Sequence, residues 1–368
     1  MGELFIGLMS GTSADGIDAV LMAFDPAPKL LATHYTPYAD SLRSRIRRFA
    51  SAAYAADAID ELGALDAELG QLFAAAALAL LEEARVGPAR VKAVGSHGQT
   101  VRHRPRGPHP FTLQIADANV IAARTGLTVV ADFRRRDVAL GGQGAPLLPA
   151  FHRAAFGHAS EERVVVNIGG IANITLLPPQ GEVRGFDTGP GNVLMDHWSR
   201  EHQGKPYDSE GAYAATGRVD DALLTRLLAD PYFAAPPPKS TGPEHFNAAW
   251  LEQALGTSRR KPEDVAATLA ELTARSIAEA VRRQAPGVKR VYACGGGAHN
   301  MHLMARLASL LPGITLASTA ALGIDPDWVE AAGFAWLARE TLERRPGNLP
   351  SVTGAAQYSI LGAIHPGK

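Results

Sequence analysis

Two glycine-bearing turns hold the residues best suited to bind phosphate through the backbone. Gly11, Thr12 and Ser13 form the first turn, and Gly169 with Gly170 forms the second. Consecutive backbone N–H groups in a tight glycine turn make an anion-binding nest, and Ser or Thr hydroxyls add donors. Either turn taken alone is more typical of an ordinary β-hairpin. Because the two turns occupy matching places in two halves of the chain, together they favour phosphate binding.

Carboxylates near the two turns could serve phosphoryl transfer. Asp15 and Asp18 flank the first turn, where they could cap the backbone or hold Mg²⁺, directly or through water. Mg²⁺ is commonly bound by one or two carboxylates together with phosphate oxygens. Asp187 follows the second turn in a predicted glycine-rich loop and is the candidate general base, with an Asx-turn as the alternative interpretation.

A third glycine cluster and two basic side chains complete the candidate site. Gly295, Gly296 and Gly297 follow a predicted strand and precede a predicted helix. Glycine lets a flat ring approach the backbone, so this cluster predicts nucleoside binding, with a plain strand-to-helix turn as the alternative. His97, in a glycine-rich segment after a strand, is a candidate substrate contact. Arg134, in a short basic run, suits an anionic ligand, although such runs usually form a solvated face.

Composition argues against several other classes of protein. The 368 residues carry a net charge of −1, whereas nucleic-acid binders usually have an excess of basic residues. The single cysteine, Cys294, excludes an internal disulfide framework and a multi-cysteine metal site, which suits a cytoplasmic protein. Neither a Walker A motif nor a Rossmann fingerprint occurs, so a P-loop kinase and a dinucleotide-dependent dehydrogenase are not expected. We also expect no membrane span, because no apolar run approaches the ~18–20 residues required.

Apolar periodicity and turn residues place these candidates on alternating strands and helices. Strands are predicted at residues 4–9, 17–24, 91–94, 127–131, 163–168, 171–177, 288–293 and 314–317. Helices are predicted at residues 43–54, 57–85, 115–124, 193–203, 262–284, 300–311 and 327–343. Residues 95–100 and 185–192 are predicted as loops. Because each half opens with a glycine-tipped hairpin, we expect a duplicated α/β architecture with a cleft between the halves and a boundary within residues 150–162.

Longer motifs resemble one enzyme family, the anhydro-N-acetylmuramic acid kinases. The most specific motif is residues 7–18, which read GLMSGTSADGID. Others follow in order: residues 95–100 (GSHGQT), 131–134 (ADFR), 141–146 (GGQGAP), 167–170 (NIGG), 185–192 (GFDTGPGN), 238–242 (PKSTG), 294–297 (CGGG) and 333–337 (GFAWL). The resemblance covers essentially the whole chain. It departs from the family pattern only at Ala14, where Leu or Met is more frequent, and at Thr188, where Cys can occur.

That family belongs to the sugar kinase, actin and Hsp70-like ATPase superfamily. The resemblance therefore implies an α/β fold with two RNase-H-like (actin-like ATPase) domains flanking a nucleotide cleft. The domains would comprise residues 1–155 and 156–368, with the extreme C-terminus able to pack back on the first. ATP and Mg²⁺ are the implied cofactors, and a cytoplasmic homodimer is the implied assembly.

The resemblance also assigns roles to individual residues. Asp187 would be the catalytic base, and Glu330 would help to hold the attacking water. His97, Gln99 and Arg134 would contact the substrate, and the two carboxylates of the first turn would hold the metal. The ATP-binding residues would be Gly11, Thr12, Ser13, Ala14, Asp15, Gly16, Ile17, Asp18, Gly169, Gly170, Gly295, Gly296 and Gly297.

The implied reaction is hydrolysis of the 1,6-anhydro bond of 1,6-anhydro-N-acetylmuramic acid, coupled to phosphorylation of O6. The products are N-acetylmuramic acid 6-phosphate and ADP, in the recycling of cell-wall peptidoglycan. One alternative is a kinase of the same superfamily that acts on an ordinary sugar hydroxyl. Another is a chaperone-like ATPase, although the chain has no spare length for the separate peptide-binding domain of such proteins.

Overall fold

The computed structural model describes residues 2–11, 13–50, 58–257 and 259–368. The chain divides into two compact units: Met1–Ala155 with Trp328–Lys368 form the first, and Phe156–Asp327 forms the second. The change of unit at Phe156 falls inside the boundary region expected at residues 150–162. Trp328–Lys368, the last part of the expected second domain of residues 156–368, groups with the first unit, and the expectation allowed such packing for the extreme C-terminus.

Strands and helices alternate through both units. The strands are β1 (Leu4–Ser10), β2 (Gly16–Ala23), β3 (Lys29–Pro37), β4 (Val91–Arg104), β5 (Phe111–Ile115), β6 (Val129–Ala131), β7 (Arg163–Ile168), β8 (Ile171–Leu177), β9 (Arg184–Pro190), β10 (Arg290–Cys294), β11 (Thr315–Ser318) and β12 (Ala363–His365). The helices are α1 (Asp40–Ala50), α2 (Ala58–Ala84), α3 (Ala118–Thr125), α4 (Arg135–Ala139), α5 (Leu148–Phe156), α6 (Val193–Gln203), α7 (Asp221–Leu228), α8 (Pro231–Ala234), α9 (Ala248–Leu255), α10 (Pro262–Gln284), α11 (Met301–Leu310), α12 (Val329–Leu342) and α13 (Pro350–Thr353).

A seven-stranded sheet forms the centre of the first unit. Its order is β12-β6-β4-β1-β2-β3, and β5 pairs with β4 beside this path. Strand β2 is antiparallel to both β1 and β3, β4 is parallel to β1, and β6 is parallel to β4. The predicted β1–β2 hairpin is confirmed, so the first glycine-bearing turn lies at its tip.

Strand β4 is much longer than its predicted four residues. It runs through residues 95–100, which were predicted as a loop, because it has hydrogen-bonding partners on both sides: Gly95 pairs with Gly7 of β1, and Gln99 pairs with Ile115 of β5. Strand β5 was not predicted, and its last residue, Ile115, was predicted to begin a helix over residues 115–124. The helix begins only at α3, where the Asp117 carboxylate accepts a backbone N–H as its N-cap.

The second unit contains a five-stranded sheet in the order β11-β10-β7-β8-β9. The predicted β7–β8 hairpin is confirmed, but the predicted loop at residues 185–192 is wrong for most of its length. Strand β9 occupies it and pairs along β8, so that Asp187 lies opposite Asn173. Strands β6-β4-β1-β2-β3 of the first sheet and the five strands of the second thus share one pattern, three antiparallel strands followed by two parallel strands. The candidate base therefore lies on the edge strand of this sheet and not in a loop.

Helix α12 explains why the last part of the chain belongs to the first unit. It packs directly on β1 and β4, where glycine removes the side chains that would keep it away. A Cβ atom on Gly7 would lie 1.9 Å from the Ala331 carbonyl oxygen, and one on Gly95 would lie 2.0 Å from that of Phe334. Contact this close is possible only because both strands carry glycine at the crossing.

One described helix, α2, is long and apolar enough to cross a membrane by composition, which the sequence analysis did not anticipate. Half of its most apolar window is buried inside this structure. Leu65, Leu69 and Phe73 are fully buried in the core of the first unit. The apolar face of α2 is therefore used for packing, as in the core helix of a globular domain.

Candidate active site

The tip of the β1–β2 hairpin is a closed turn with an exposed carboxylate. The Ala14 N–H donates to the Gly11 carbonyl at 3.1 Å, and Ala14 has a left-handed backbone with φ 51°. The Ser13 hydroxyl donates to Asp15 at 2.8 Å, which orients this carboxylate at the surface. Thr12, predicted to bind phosphate, lies outside the described residues. In the described part of the turn, these contacts hold Ala14 and leave Asp15 exposed.

Gln99 braces this turn from the neighbouring strand. Its Nε2 donates to the Gly11 carbonyl at 3.0 Å, and its Oε1 lies 2.6 Å from the Ser10 hydroxyl. Both side chains are buried. The amide of Gln99 is thus engaged at both ends in holding the turn, and direct contact between Gln99 and a substrate stays a prediction.

The two carboxylates of the first turn lie near one phenol. Burial, followed by the charges of Asp15 and Asp18, raises the pKa of Tyr35, which places both carboxylates within electrostatic reach of that ring. Among the described residues no cluster of three or more His, Cys, Asp or Glu could hold a metal ion. Two carboxylates nevertheless fit Mg²⁺, which keeps several waters and takes phosphate oxygens as further ligands. The donor set therefore suits a magnesium ion that arrives with a phosphate ligand.

His97, Arg134 and Glu330, which are far apart in sequence, come together in the first unit. His97 Nδ1 donates to the Gly98 carbonyl at 2.9 Å, so its Nε2 is free of a proton and accepts from Arg134 Nε at 3.1 Å. Burial and then the charge of Arg134 hold the pKa of His97 well below its usual value, so the imidazole is neutral. Burial lowers the pKa of Arg134 to about 10, and the charge of Glu330 partly offsets this effect.

Asp137 supports this cluster and was missed by the sequence analysis. Its fully buried carboxylate accepts hydrogen bonds from the Gly144 N–H, Asn348 Nδ2 and the Thr353 hydroxyl, each at 2.8 Å. The carbonyl of Gly144 in turn accepts from Arg134 at 2.7 Å. The only local signal was an acid three residues after Arg134 and shortly before a glycine cluster. Two of its three partners, Asn348 and Thr353, lie more than 200 residues away, so spacing could not reveal them.

Three glycine-bearing segments of the second unit also come together. The Asn192 N–H donates to the Gly169 carbonyl at 2.8 Å, and its side chain donates to the Ile168 carbonyl at 3.1 Å. On the other side, a Cβ atom on Gly297 would lie 2.3 Å from Ile168. Gly295, with φ 78°, could not carry a side chain without strain and a clash with Asn167. The predicted phosphate-binding turn and the predicted nucleoside-binding cluster are therefore neighbours.

Three glycines at predicted ligand positions are not required by packing. A Cβ atom would lie 3.6 Å from the nearest described atom at Gly11, 3.5 Å at Gly169 and 4.0 Å at Gly296. None of the three has a positive φ. Packing therefore does not account for glycine at these three positions, and the missing side chain leaves the backbone open. These positions can admit a ligand that approaches the backbone.

Asp187 is held by a segment that crosses β9, residues 230–242, which we call the strap. The Thr241 N–H donates to Asp187 Oδ2 at 3.0 Å, and the Asp187 N–H donates to the Lys239 carbonyl at 3.2 Å. The Tyr232 hydroxyl donates to the Asp187 carbonyl at 2.6 Å. Burial raises the pKa of Asp187 to about 7, against the opposing effect of the Thr241 hydrogen bond. Asp187 is therefore an oriented carboxylate able to accept a proton near neutral pH.

Comparison with known proteins gives close relatives over the whole chain. The family model described as anhydro-N-acetylmuramic acid kinase matches residues 3–367. A protein of Xanthomonas campestris pv. campestris strain 8004 with that name is 56% identical over 367 residues, covering 99% of this chain and 97% of its own. A protein of Coxiella burnetii strain Dugway 5J108-111 with the same name is 52% identical over 368 residues, covering 100% and 98%.

Two solved structures that match this chain have much lower sequence identity. The activator of the 2-hydroxyisocaproyl-CoA dehydratase from Clostridium difficile with bound ADPNP is 12% identical, with a TM-score of 0.47, over 92% of this chain and 97% of that chain. A ROK family glucokinase from Streptomyces griseus in complex with glucose and AMPPNP is 14% identical, with a TM-score of 0.41, over 92% and 99%.

Proposed function

Because this chain belongs to the anhydro-N-acetylmuramic acid kinase family, we propose that it uses ATP to open the 1,6-anhydro bond of 1,6-anhydro-N-acetylmuramic acid and to phosphorylate O6. The products are N-acetylmuramic acid 6-phosphate and ADP. In this sugar O6 is bonded to C1, so there is no free 6-hydroxyl. Water must therefore attack C1, and the O6 released from C1 must accept the γ-phosphoryl group.

The position and basicity of Asp187 are the observations that carry this proposal. The bond from water to C1 forms as the C1–O6 bond breaks, and the water proton passes to the Asp187 carboxylate. The O6–phosphorus bond forms as the bond from that phosphorus to ADP breaks. A base for the first step must be deprotonated near neutral pH yet basic enough to accept a proton, which is the balance that burial produces at Asp187.

We assign the phosphates of ATP to the two glycine-bearing turns, and its nucleoside to residues 295–297. The room for a side chain at Gly11, Gly169 and Gly296 supports this assignment, because packing does not require glycine there. Phosphoryl transfer depends chiefly on positioning and on neutralising phosphate charge. When bound, Mg²⁺ would supply that neutralisation, held by Asp15 and Asp18.

The cluster in the first unit suits the sugar. The guanidinium of Arg134, oriented by His97 and Gly144, would bind the lactyl carboxylate, since a planar guanidinium matches a carboxylate. Neutral His97 would contact the sugar without adding a competing positive charge. Glu330, whose charge reaches Arg134, would help to hold the attacking water.

The wider setting is part of the same proposal. The strand order shared by the two units supports two RNase-H-like domains of the actin-like ATPase type. Such an enzyme would work in the cytoplasm as a homodimer, in the recycling of peptidoglycan.

Isotope labelling tests the reaction directly. The enzyme is incubated with ATP and the anhydro-sugar in ¹⁸O-water, and the product is analysed by mass spectrometry. We expect a sugar 6-phosphate with one labelled oxygen at C1 and none in the phosphate. Label in the phosphate would contradict the proposal, and faster phosphorylation of reducing N-acetylmuramic acid would favour a kinase for an ordinary sugar hydroxyl.

Replacing the base tests its assignment. Asp187→Asn should lower turnover about 10²–10⁴-fold, because the proton acceptor is lost, while ATP binding measured by calorimetry persists. The matched control is Asp221→Asn, which changes an exposed carboxylate on α7 and should leave turnover unchanged. Wild-type turnover in Asp187→Asn would show that another group is the base.

A further inference from the structure

Thr241 is half-buried, and its backbone contacts the candidate base. Its backbone N–H is already used, donating to Asp187 Oδ2 at 3.0 Å. Its hydroxyl oxygen is fully buried, and within the described part of the chain it has no hydrogen-bond partner. A buried hydroxyl that makes no hydrogen bond costs stability, so its retention calls for a partner outside the chain.

The strap holds this hydroxyl in place. Lys239 Nζ donates to the Tyr232 carbonyl at 2.8 Å and lies 4.5 Å from the centre of the Tyr232 ring. That ring packs edge-on against Phe246, with ring centres 5.5 Å apart. Tyr232 and Thr241 donate to Asp187, and the Lys239 carbonyl accepts from it, so three hydrogen bonds attach the strap to β9. The Thr241 hydroxyl therefore has a fixed position relative to the carboxylate.

The backbone contact between Thr241 and Asp187 limits how far the Thr241 hydroxyl can lie from the Asp187 carboxylate. Staggered rotamers keep a threonine hydroxyl oxygen about 3–4 Å from its own backbone nitrogen. That nitrogen lies 3.0 Å from Asp187 Oδ2, so the hydroxyl oxygen is at most about 7 Å from that carboxylate oxygen. A small molecule hydrogen-bonded to Asp187 is therefore within reach of Thr241 as well.

We propose that the Thr241 hydroxyl binds the water molecule that Asp187 deprotonates. The inference rests on the proposed function, which supplies the water and its attack on C1. A water held by both groups has its direction of attack set by Thr241 while Asp187 accepts its proton. Because this contact matters most when water becomes the nucleophile, its loss should lower kcat and leave KM nearly unchanged.

Two substitutions at Thr241 test this role. Thr241→Val keeps the shape and the backbone N–H but removes the hydroxyl, and we expect kcat to fall about tenfold with KM for both substrates within twofold. The melting temperature of the free protein should stay equal or rise, since an unpaired buried hydroxyl has been removed. Thr241→Ser keeps the hydroxyl and should retain kcat within about threefold of wild type. The control is Thr225→Val on α7, where the hydroxyl bonds to its own helix and kcat should not change.

Each other outcome decides the question. Wild-type kcat in Thr241→Val overturns the inference, and so does a raised KM for the sugar at unchanged kcat, which would mean contact with the sugar. If Thr241→Val and Thr241→Ser lose the same amount of kcat and the same amount of melting temperature, the Thr241 side chain contributes only to packing. If the wild-type enzyme does not convert the anhydro-sugar, the proposed function fails and the inference fails with it. An active wild type with an unaffected Thr241→Val variant overturns only the inference.

Discussion

Burial and hydrogen bonding have opposite effects on the pKa of Asp187. Removal from water disfavours the charged carboxylate, whereas the N–H of Thr241 favours it, and burial is the larger effect. Elsewhere in the site the balance differs: burial and a neighbouring cation keep His97 neutral. The two side chains therefore offer a base and an uncharged hydrogen-bonding ring, although either could be charged in water at neutral pH.

The raised pKa of Asp187 predicts a specific dependence of activity on pH. Only the ionised carboxylate accepts a proton, and its pKa is raised to about 7, so the active form is lost as pH falls through about 7. We expect kcat/KM for the sugar to fall about tenfold per pH unit below that value. ATP binding measured over the same range serves as the control. Constant kcat/KM down to pH 5 would show that Asp187 titrates as an ordinary carboxyl group.

At the scale of elements, the glycines separate into two kinds. Those at crossings, such as Gly7, Gly95 and Gly297, are required because a neighbouring backbone or side chain occupies the place of a Cβ atom. Those at the hairpin tips, Gly11 and Gly169, have room for a side chain. Sequence alone does not distinguish the two kinds, because both appear as glycine in turn-rich segments.

This distinction predicts opposite effects for two similar substitutions. Gly169→Ala should leave the melting temperature unchanged or higher but weaken ATP binding about tenfold, because the methyl group would occupy space needed by phosphate. Gly297→Ala should lower the stability by about 1–3 kcal/mol, because its Cβ would clash with Ile168. Gly63→Ala, at an exposed position of α2 with no described atom within 4 Å, is the control for both. Thermal unfolding and calorimetric ATP titration provide the readouts, and wild-type ATP affinity in Gly169→Ala would contradict the phosphate assignment.

At the scale of the whole molecule, the two ends of the chain form one unit. Helix α12 is almost entirely buried against β1 and β4, and β12 pairs with β6 at the edge of the same sheet. The carboxylate of Asp137 ties the segment before α13 to the loop that holds Arg134. Residues 328–368 therefore serve the first unit in both packing and site geometry, despite following the second unit in sequence.

Adding one methyl group at Gly95 tests the close packing of α12 on β4. In Gly95→Ala the new Cβ would lie 2.0 Å from the Phe334 carbonyl oxygen, and helix backbone cannot shift cheaply to relieve the contact. We expect a loss of about 3 kcal/mol, measured by denaturant unfolding. Hydrogen exchange should increase in β1, β4 and α12 rather than in β7 or α10. Gly87→Ala, where no described atom lies within 4 Å, is the control, and unchanged exchange in Gly95→Ala would contradict the close packing of α12.

Local sequence patterns were sufficient for much of the fold. The hairpins at both glycine-bearing turns follow from turn residues between apolar strands. Helices α6 and α10 begin and end where periodicity predicts, at Val193–Gln203 and Pro262–Gln284. These features depend on residues within one or two turns of each other, so short-range propensity decides them. The motifs that carry the family resemblance are equally local.

Only the tertiary structure decided the features that depend on distant partners. Residues 95–100 and 184–190 are strands because other strands pair with them, although their glycines predict loops. Helix α12 joins the first unit because its counterparts on β1 and β4 are glycines some 240 to 320 residues earlier in the chain. Asp137 and Thr241 gained their roles in the same way, through hydrogen bonds to residues remote in sequence. A pattern of residue types records what a segment favours by itself, whereas these contacts and the burial that raises the pKa of Asp187 exist only once the chain has folded.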